Sequence, residues 1–300
     1  LSINLSKLPG TELQQLFNEE LGCVVQVKSA DAQKVVAQLT ANLGEAAYVI
    51  GVPTKKQDII FTNNKKVVYQ NTRAKLESWW ADTSYHLQKL RDNPASAQQE
   101  YAAIANDKDP GLTPKINFKF SNKKYKTRPK VAIFREQGVN GQVEMAAAFY
   151  AAWFEAVDVH INDLLNKKVS LGDFKVLAAC GGFSYGDVLG AGQGWAKTIL
   201  NNDFLRQELS TFFARDDTLT LGVCNGCQML SDLKSLIPGA AHWPVLQRNQ
   251  SEQFEARLVS VKVAPSASVF LKQMEVSVLP VVVAHGEGKM QFKNDATSFV

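Results

Sequence analysis

From Pro129 onward, short apolar runs rich in β-branched residues alternate with longer amphipathic stretches, and this alternation constrains the fold more than any other feature. Lys130-Val131-Ala132-Ile133-Phe134 reads as a buried strand, and Val143 to Ala156 as a helix. Val157 to Ile161 and Phe174 to Cys180 read as the second and third strands. Helical patterns cover Val188 to Leu200 and Leu205 to Arg215, and a fourth strand, Thr218 to Leu221, runs into Gly222 and Val223. Strands this apolar are covered on both faces, which calls for an α/β fold with helices on either side of a mostly parallel sheet. In such sheets functional groups gather beyond the carboxyl ends of the strands.

The residues before Pro129 have a different texture. Residues 1–75 combine a helical stretch, Asp31 to about Leu43, with β-like runs at Tyr48 to Val52, Asp58 to Thr62 and Lys66 to Gln70. Asn63-Asn64 suits a tight hairpin between the last two. Residues 76–128 read as a helical linker. Leu76, Trp79, Trp80, Leu87 and Leu90 recur at helical spacing, Pro94 breaks the run, and the polar, basic stretch through Lys123-Lys124-Tyr125-Lys126 is connector chemistry. The expected organisation is an α+β unit over 1–75, the linker, and an α/β domain over 129–300.

A chain of 300 residues with 45% hydrophobic content can bury a core without disulfides or metal. Its net charge of +4 is too small to imply nucleic acid. No run approaches the roughly 18 apolar residues of a membrane span. The four cysteines do not form a secreted disulfide framework, and the N-terminus lacks signal-peptide features. The expectation is a cytoplasmic protein, without nucleic-acid or membrane partners and without a metal site. The absence of an initiating Met suggests a piece of a longer chain.

Chemistry concentrates in three motifs. Gly222-Val223-Cys224-Asn225-Gly226-Cys227-Gln228 lies where an apolar strand passes directly into a helix. A nucleophile on such a sharp turn is held out over the sheet edge. A helix N-terminus behind a thiol favours the anionic sulfur, and its free N–H groups can hold an oxyanion. A thiolate there could attack an amide carbon and form a thioester for water to cleave. Half a zinc site, a thioredoxin-like redox pair and two buried structural thiols are the competing readings of Cys224 and Cys227, although no second ligand pair with zinc spacing is present. The second motif, Ala179-Cys180-Gly181-Gly182-Phe183-Ser184-Tyr185-Gly186-Asp187, ends the third strand. Its paired glycines could turn backbone N–H groups toward a neighbouring site or simply make a tight turn. In the third, Val283-Ala284-His285-Gly286-Glu287-Gly288, a His and a carboxylate two residues on could act as base and orienter, or be structural. Gly190-Ala191-Gly192-Gln193-Gly194 lacks the strand-helix placement of a dinucleotide loop.

Together the three motifs resemble phosphoribosylformylglycinamidine synthases, in their large single-chain form. Phe17-Asn18-Glu19-Glu20-Leu21-Gly22 looks like the end of the ATP-dependent synthetase region. Trp79-Trp80-Ala81, Leu90-Arg91-Asp92-Asn93-Pro94 and Asn106-Asp107-Lys108-Asp109-Pro110-Gly111-Leu112 are similar to the connecting segment. Arg135-Glu136-Gln137-Gly138-Val139-Asn140 looks like the opening of the glutaminase domain. The resemblance implies a class I glutamine amidotransferase domain of flavodoxin-like fold, preceded by a remnant of the synthetase domain. It implies a ligase of purine biosynthesis that converts formylglycinamide ribonucleotide and glutamine, with ATP, to formylglycinamidine ribonucleotide and glutamate. Cys224 then matches the nucleophile that forms the thioester, Gly181, Gly182 and the Asn225 N–H match the oxyanion region, and Gln228 matches a residue holding substrate glutamine. ATP and magnesium, with the ribonucleotide, belong to the synthetase region, so no cofactor is expected in this piece.

The family's catalytic His and Glu stand in a His-Pro-Glu motif near the C-terminus, and none occurs in these 300 residues. Gly286 stands where that motif would have Pro, so His285 and Glu287 are expected to be pocket residues. The domain is expected to be truncated and the piece inactive alone. Alternatives are a stand-alone glutaminase subunit, a Cys peptidase or chaperone-like relative using Glu136, and a non-catalytic structural module.

Overall fold

The computed structural model describes residues 1–119 and 124–293. The chain divides into two compact units, Leu1–Asp109 and one beginning at Pro110. The helices of the 76–128 segment therefore group with the first unit. Lys123 of the lysine-rich stretch, and residues 294–300, lie outside the described residues. No helix among the described residues is long and apolar enough to cross a membrane.

In the first unit, β1 (Ser2–Asn4), α1 (Glu12–Phe17), α2 (Ala32–Leu43), β2 (Gly51–Val52), β3 (Asp58–Asn63) and β4 (Lys66–Thr72) precede two helices. The strands form one sheet in the order β2-β1-β3-β4, with β1 parallel to β3 and the other pairs antiparallel. The β3–β4 hairpin turns on Asn64 (φ 46°) and Lys65 (φ 66°), one residue later than the Asn63-Asn64 pair expected. The Tyr48–Val52 run shortens to Gly51–Val52. Helix α3 (Arg73–Arg91) is capped by Thr72, and α4 (Pro94–Ala103) by Asn93 with Pro94 in its first turn, a position that needs no N–H. The two helices meet through Tyr85 stacked on Tyr101, ring centroids 4.3 Å apart.

In the second unit, β5 (Lys130–Arg135), α5 (Gln142–Ala151), β6 (Glu155–His160), α6 (Ile161–Leu165), β7 (Val176–Ala179), α7 (Gln193–Leu200), α8 (Asp203–Phe213), β8 (Leu219–Gly222) and α9 (Asn225–Asp232) follow in turn. The sheet is all parallel, ordered β6-β5-β7-β8, and the fold is α/β and flavodoxin-like. Helix α5 ends at Ala151 rather than Ala156, because the chain turns through Trp153 at φ 72° to enter β6. Residues 188–192 are a turn rather than helix, with Gly190 and Gly192 at positive φ. Val131, Ala132, Ile133 and Phe134 of β5 and Val176 to Ala179 of β7 are buried on both faces, under Trp195, Ile199, Leu205, Leu209 and Phe212. Beyond this sheet lie β9 (Val245–Gln247), β10 (Glu255–Lys262), β11 (Val278–His285) and β12 (Lys289–Gln291). They form two antiparallel pairs, β10 with β11 and β9 with β12.

Candidate active site

Strands β5 and β7 are neighbours, but β5 leads through α5 to β6 on one side and β7 leads through α7 and α8 to β8 on the other. The two connections diverge and open a crevice at the carboxyl ends of the strands, the usual ligand position in such sheets. The loops after β5 and β7 line it and are stitched together. Gly181 O accepts from the N–H of Asn140 and Gly141 at 3.3 and 3.1 Å. Phe183 N–H donates to Gly138 O and Tyr185 N–H to Gln137 O, both at 2.9 Å. Two glycines make this approach possible. A Cβ at Gly138 (φ 88°) would lie 2.2 Å from Phe183 O, and one at Gly182 (φ 153°) 2.6 Å from Val139 Cα. The N–H groups of Gly181 and Gly182 donate to no protein acceptor among the described residues.

The loop after β8 brings the thiol to this crevice. Cys224 adopts φ 52°, ψ −114° as the cap residue of α9, a conformation costly for a residue with a side chain. The turn is tight because α9 sits directly on the end of β7: a Cβ at Gly226 would lie 2.2 Å from Ala179 O. Cys224 remains exposed, and its S–H donates to the Ala284 carbonyl at 3.5 Å, at the end of β11. A Cβ at Gly181 would stand 3.2 Å from Cys224 Cβ, so the thiol-bearing residue and Gly181 face each other. The Asn225 N–H, in the first turn of α9, has no intrahelical partner. An exposed sulfur at a helix N-terminus, with Gly181 against it, is chemically able to attack an acyl carbon.

Beneath the elbow, the fully buried Asn225 side chain accepts from Ser184 N–H at 3.1 Å and donates to Asp187 Oδ1 at 2.9 Å. Its amide also donates to Gln228 Oε1 at 3.3 Å. Gln228 in turn donates to the Glu287 carbonyl at 2.6 Å, so both ends of its amide are engaged within the protein. The Glu287 carboxylate accepts from Ala191 N–H at 3.1 Å. Glu287 thus fastens the 286–288 loop to the 190–192 turn.

His285 is oriented by Asn249. The Asn249 amide donates to the carbonyls of His285 and Gln253, which leaves Oδ1 to accept from Gly288 N–H at 2.9 Å and from His285 Nδ1 at 3.0 Å. The ring lies over Gly288, where a Cβ would come within 2.0 Å of it. His285 and Glu287 thus follow the Ala284 carbonyl that meets the sulfur, and their side chains bond to Asn249 and to Ala191 N–H rather than to one another or to Cys224. Glu136 is buried and bonds to its own loop through Gln137 N–H at 2.8 Å. Its carboxylate also lies 3.4 Å from His160 Nε2 and against the Tyr185 hydroxyl. His160 Nδ1 accepts from Asn162 N–H, so Nε2 carries the hydrogen that faces Glu136. Cys180 lies inside the sheet, where burial pushes its thiol up to about 12. Among the described residues no three His, Cys, Asp or Glu side chains are arranged to hold a metal ion.

Ser184, Asp187, Asn249 and Ala284 belong to this site without having been singled out by sequence reasoning. Asp187 closes the Gly181–Asp187 motif and Ala284 precedes His285, so position within the motifs was their available signal. Asn249, in a polar stretch, offered none.

Residues 128–299 match the model of the CobB/CobQ-like glutamine amidotransferase domain. Among solved structures, that of PurLQS from Thermotoga maritima is similar at 24% identity, over 56% of this chain and 72% of that one, with a TM-score of 0.47. The family match spans more than half of the chain and the whole of the parallel sheet, the elbow and the paired glycines, and glutamine is the substrate it implies. The chain belongs to the CobB/CobQ-like glutamine amidotransferases.

Proposed function

We propose that Cys224 is the nucleophile of a glutamine amidotransferase, attacking the side-chain carboxamide of glutamine. The observation that carries this reading is the exposed Cys224 on a positive-φ elbow, face to face with Gly181. Attack forms a C–S bond and moves the carbonyl electron pair onto oxygen. The N–H groups of Gly181, Gly182 and Asn225 receive that charge. Collapse breaks the C–N bond, the departing nitrogen takes up the proton given up by the thiol and leaves as ammonia, and water then cleaves the thioester to glutamate and restores the thiol. Gln228 supports the glutamine pocket from behind, and His285 and Glu287 shape its wall.

The specific reaction we propose is the ammonia-supplying part of formylglycinamidine ribonucleotide synthesis in purine biosynthesis. Its support is the set of three motifs that resemble that family, together with a compact unit, Leu1–Asp109, preceding the amidotransferase domain. ATP, magnesium and the ribonucleotide belong to the synthetase part of that reaction and are not assigned to residues of this chain. Cytoplasmic location goes with this reading.

The test is labelling with the chloroketone analogue of glutamine, followed by peptide mapping. Modification should fall on Cys224, be suppressed by excess glutamine, and vanish in Cys224→Ser. Labelling that ignores glutamine, or that falls on Cys227, would overturn the assignment.

A further inference from the structure

The Asn225 side chain joins two strained points of the backbone. Cys224, immediately before it, holds φ 52°, and Asp187, which accepts from Asn225 Nδ2 at 2.9 Å, holds φ 53°. Positive φ is unfavourable for residues with a side chain and persists where the surroundings impose it. The orientation of the amide is fixed: Ser184 N–H requires Oδ1, so Nδ2 must face Asp187. The loop after β7 is tied along one edge to the loop after β5. The Asn225 bridge ties it to the element that carries the sulfur.

We propose that Asp187 is a positioning residue: acting through Asn225, it fixes the Gly181 and Gly182 N–H groups relative to the Cys224 sulfur. This deepens the amidotransferase reading and rests on it. No contact links Asp187 to the thiol, so its effect passes through the bridge. The device requires an acceptor at position 187 on a backbone at positive φ. Asn supplies both, Gly supplies only the backbone, and Ala supplies neither.

Three variants of the whole chain separate these requirements: Asp187→Asn, Asp187→Gly and Asp187→Ala. Two readouts are taken, the chloroketone modification of Cys224 as a function of reagent concentration, and hydrogen exchange of the Ser184 amide. Asp187→Gly and Asp187→Ala should both lower the maximal modification rate, on the order of 10²-fold for a misaligned site, with half-saturation little changed and Ser184 exchanging faster. Asp187→Asn should restore both. An Asp187→Gly variant that behaves like the unaltered chain would show that only backbone conformation matters and overturn the proposal. Raised half-saturation at an unchanged maximal rate would instead make Asp187 a substrate-binding group, and would also overturn it. Should glutamine fail to protect the unaltered chain, the nucleophile assignment falls. The bridge is then judged on exchange alone, and uniform Ser184 protection across all three variants would refute it.

Discussion

The two compact units use apolar surface differently. In the second, Phe134, Trp195, Phe212 and the strands β5 and β7 form a continuous buried core. In the first, Leu5, Tyr85 and Ala97 are the buried apolar residues among those described, α1 and α2 bury none, and Trp80, Leu87 and Leu90 stand well exposed on α3. Close packing is what lets a backbone be held in unfavourable conformations, because a dense interior resists relaxation. The second unit can therefore maintain Tyr185, Asp187 and Cys224 at positive φ around one crevice.

The largest expected effect contrasts two exposed thiols. Cys23 in the first unit and Cys224 in the second are both accessible, but Cys224 stands on a positive-φ elbow with Gly181 against it. In the presence of the chloroketone glutamine analogue, Cys224 should be modified at least on the order of 10²-fold faster than Cys23, the scale of a well-placed oxyanion site. Equal rates, read by mass spectrometry, would remove the distinction between the units. Next comes packing. Leu177→Ala should cost about 2–5 kcal/mol in chemical denaturation, whereas Leu87→Ala, on the exposed face of α3, should stay within about 0.5 kcal/mol. A comparable loss at Leu87 would mean that its face is covered in solution. Gly226→Ala places a methyl against Ala179 O and should cost about 1–3 kcal/mol, while slowing Cys224 modification. Destabilisation with unchanged modification would separate the elbow from the sheet.

The smallest effect is electrostatic. Bonds from Arg215 and then Lys175 hold the Asp217 carboxyl down at about 2, from an ordinary value of 3.8. Because the folded value is the lower one, the contribution is present above about pH 4 and is lost as pH falls toward 2. Thermal melts of Asp217→Asn should show a shallower acid limb than those of the unaltered chain. The side chain is exposed, and 0.5 M salt should reduce the difference. An acid limb identical in the variant would show that the ion pairs contribute nothing there.

Much of the second unit was legible from sequence, because buried parallel strands leave unbroken apolar runs. Val131–Phe134 and Val176–Ala179 need no context to be recognised. Strand and helix ends were less legible: the turn at Trp153 puts a bulky residue at positive φ, contrary to local preference. The first unit was read less well. Half-exposed strands carry a weak alternating signal, and the apolar Cys23–Val27 run forms no regular element. At the site, Cys224 and the paired glycines announce themselves by spacing. The ties that align them do not, since Asn225, Asp187, Gln228 and Asn249 act through side-chain bonds to distant backbone groups.

One short bridge has a consequence for how such a chain tolerates change. Lys115 exchanges backbone hydrogen bonds with Val278 at 2.9 and 2.8 Å, and Asn117 N–H reaches Ser277 Oγ at 3.2 Å. Val278 opens the strand whose far end presents the Ala284 carbonyl to the sulfur. A single residue added between Lys115 and Asn117 would throw the bridge out of step with Ser277 and Val278, loosening the near end of the beam on which the thiol rests.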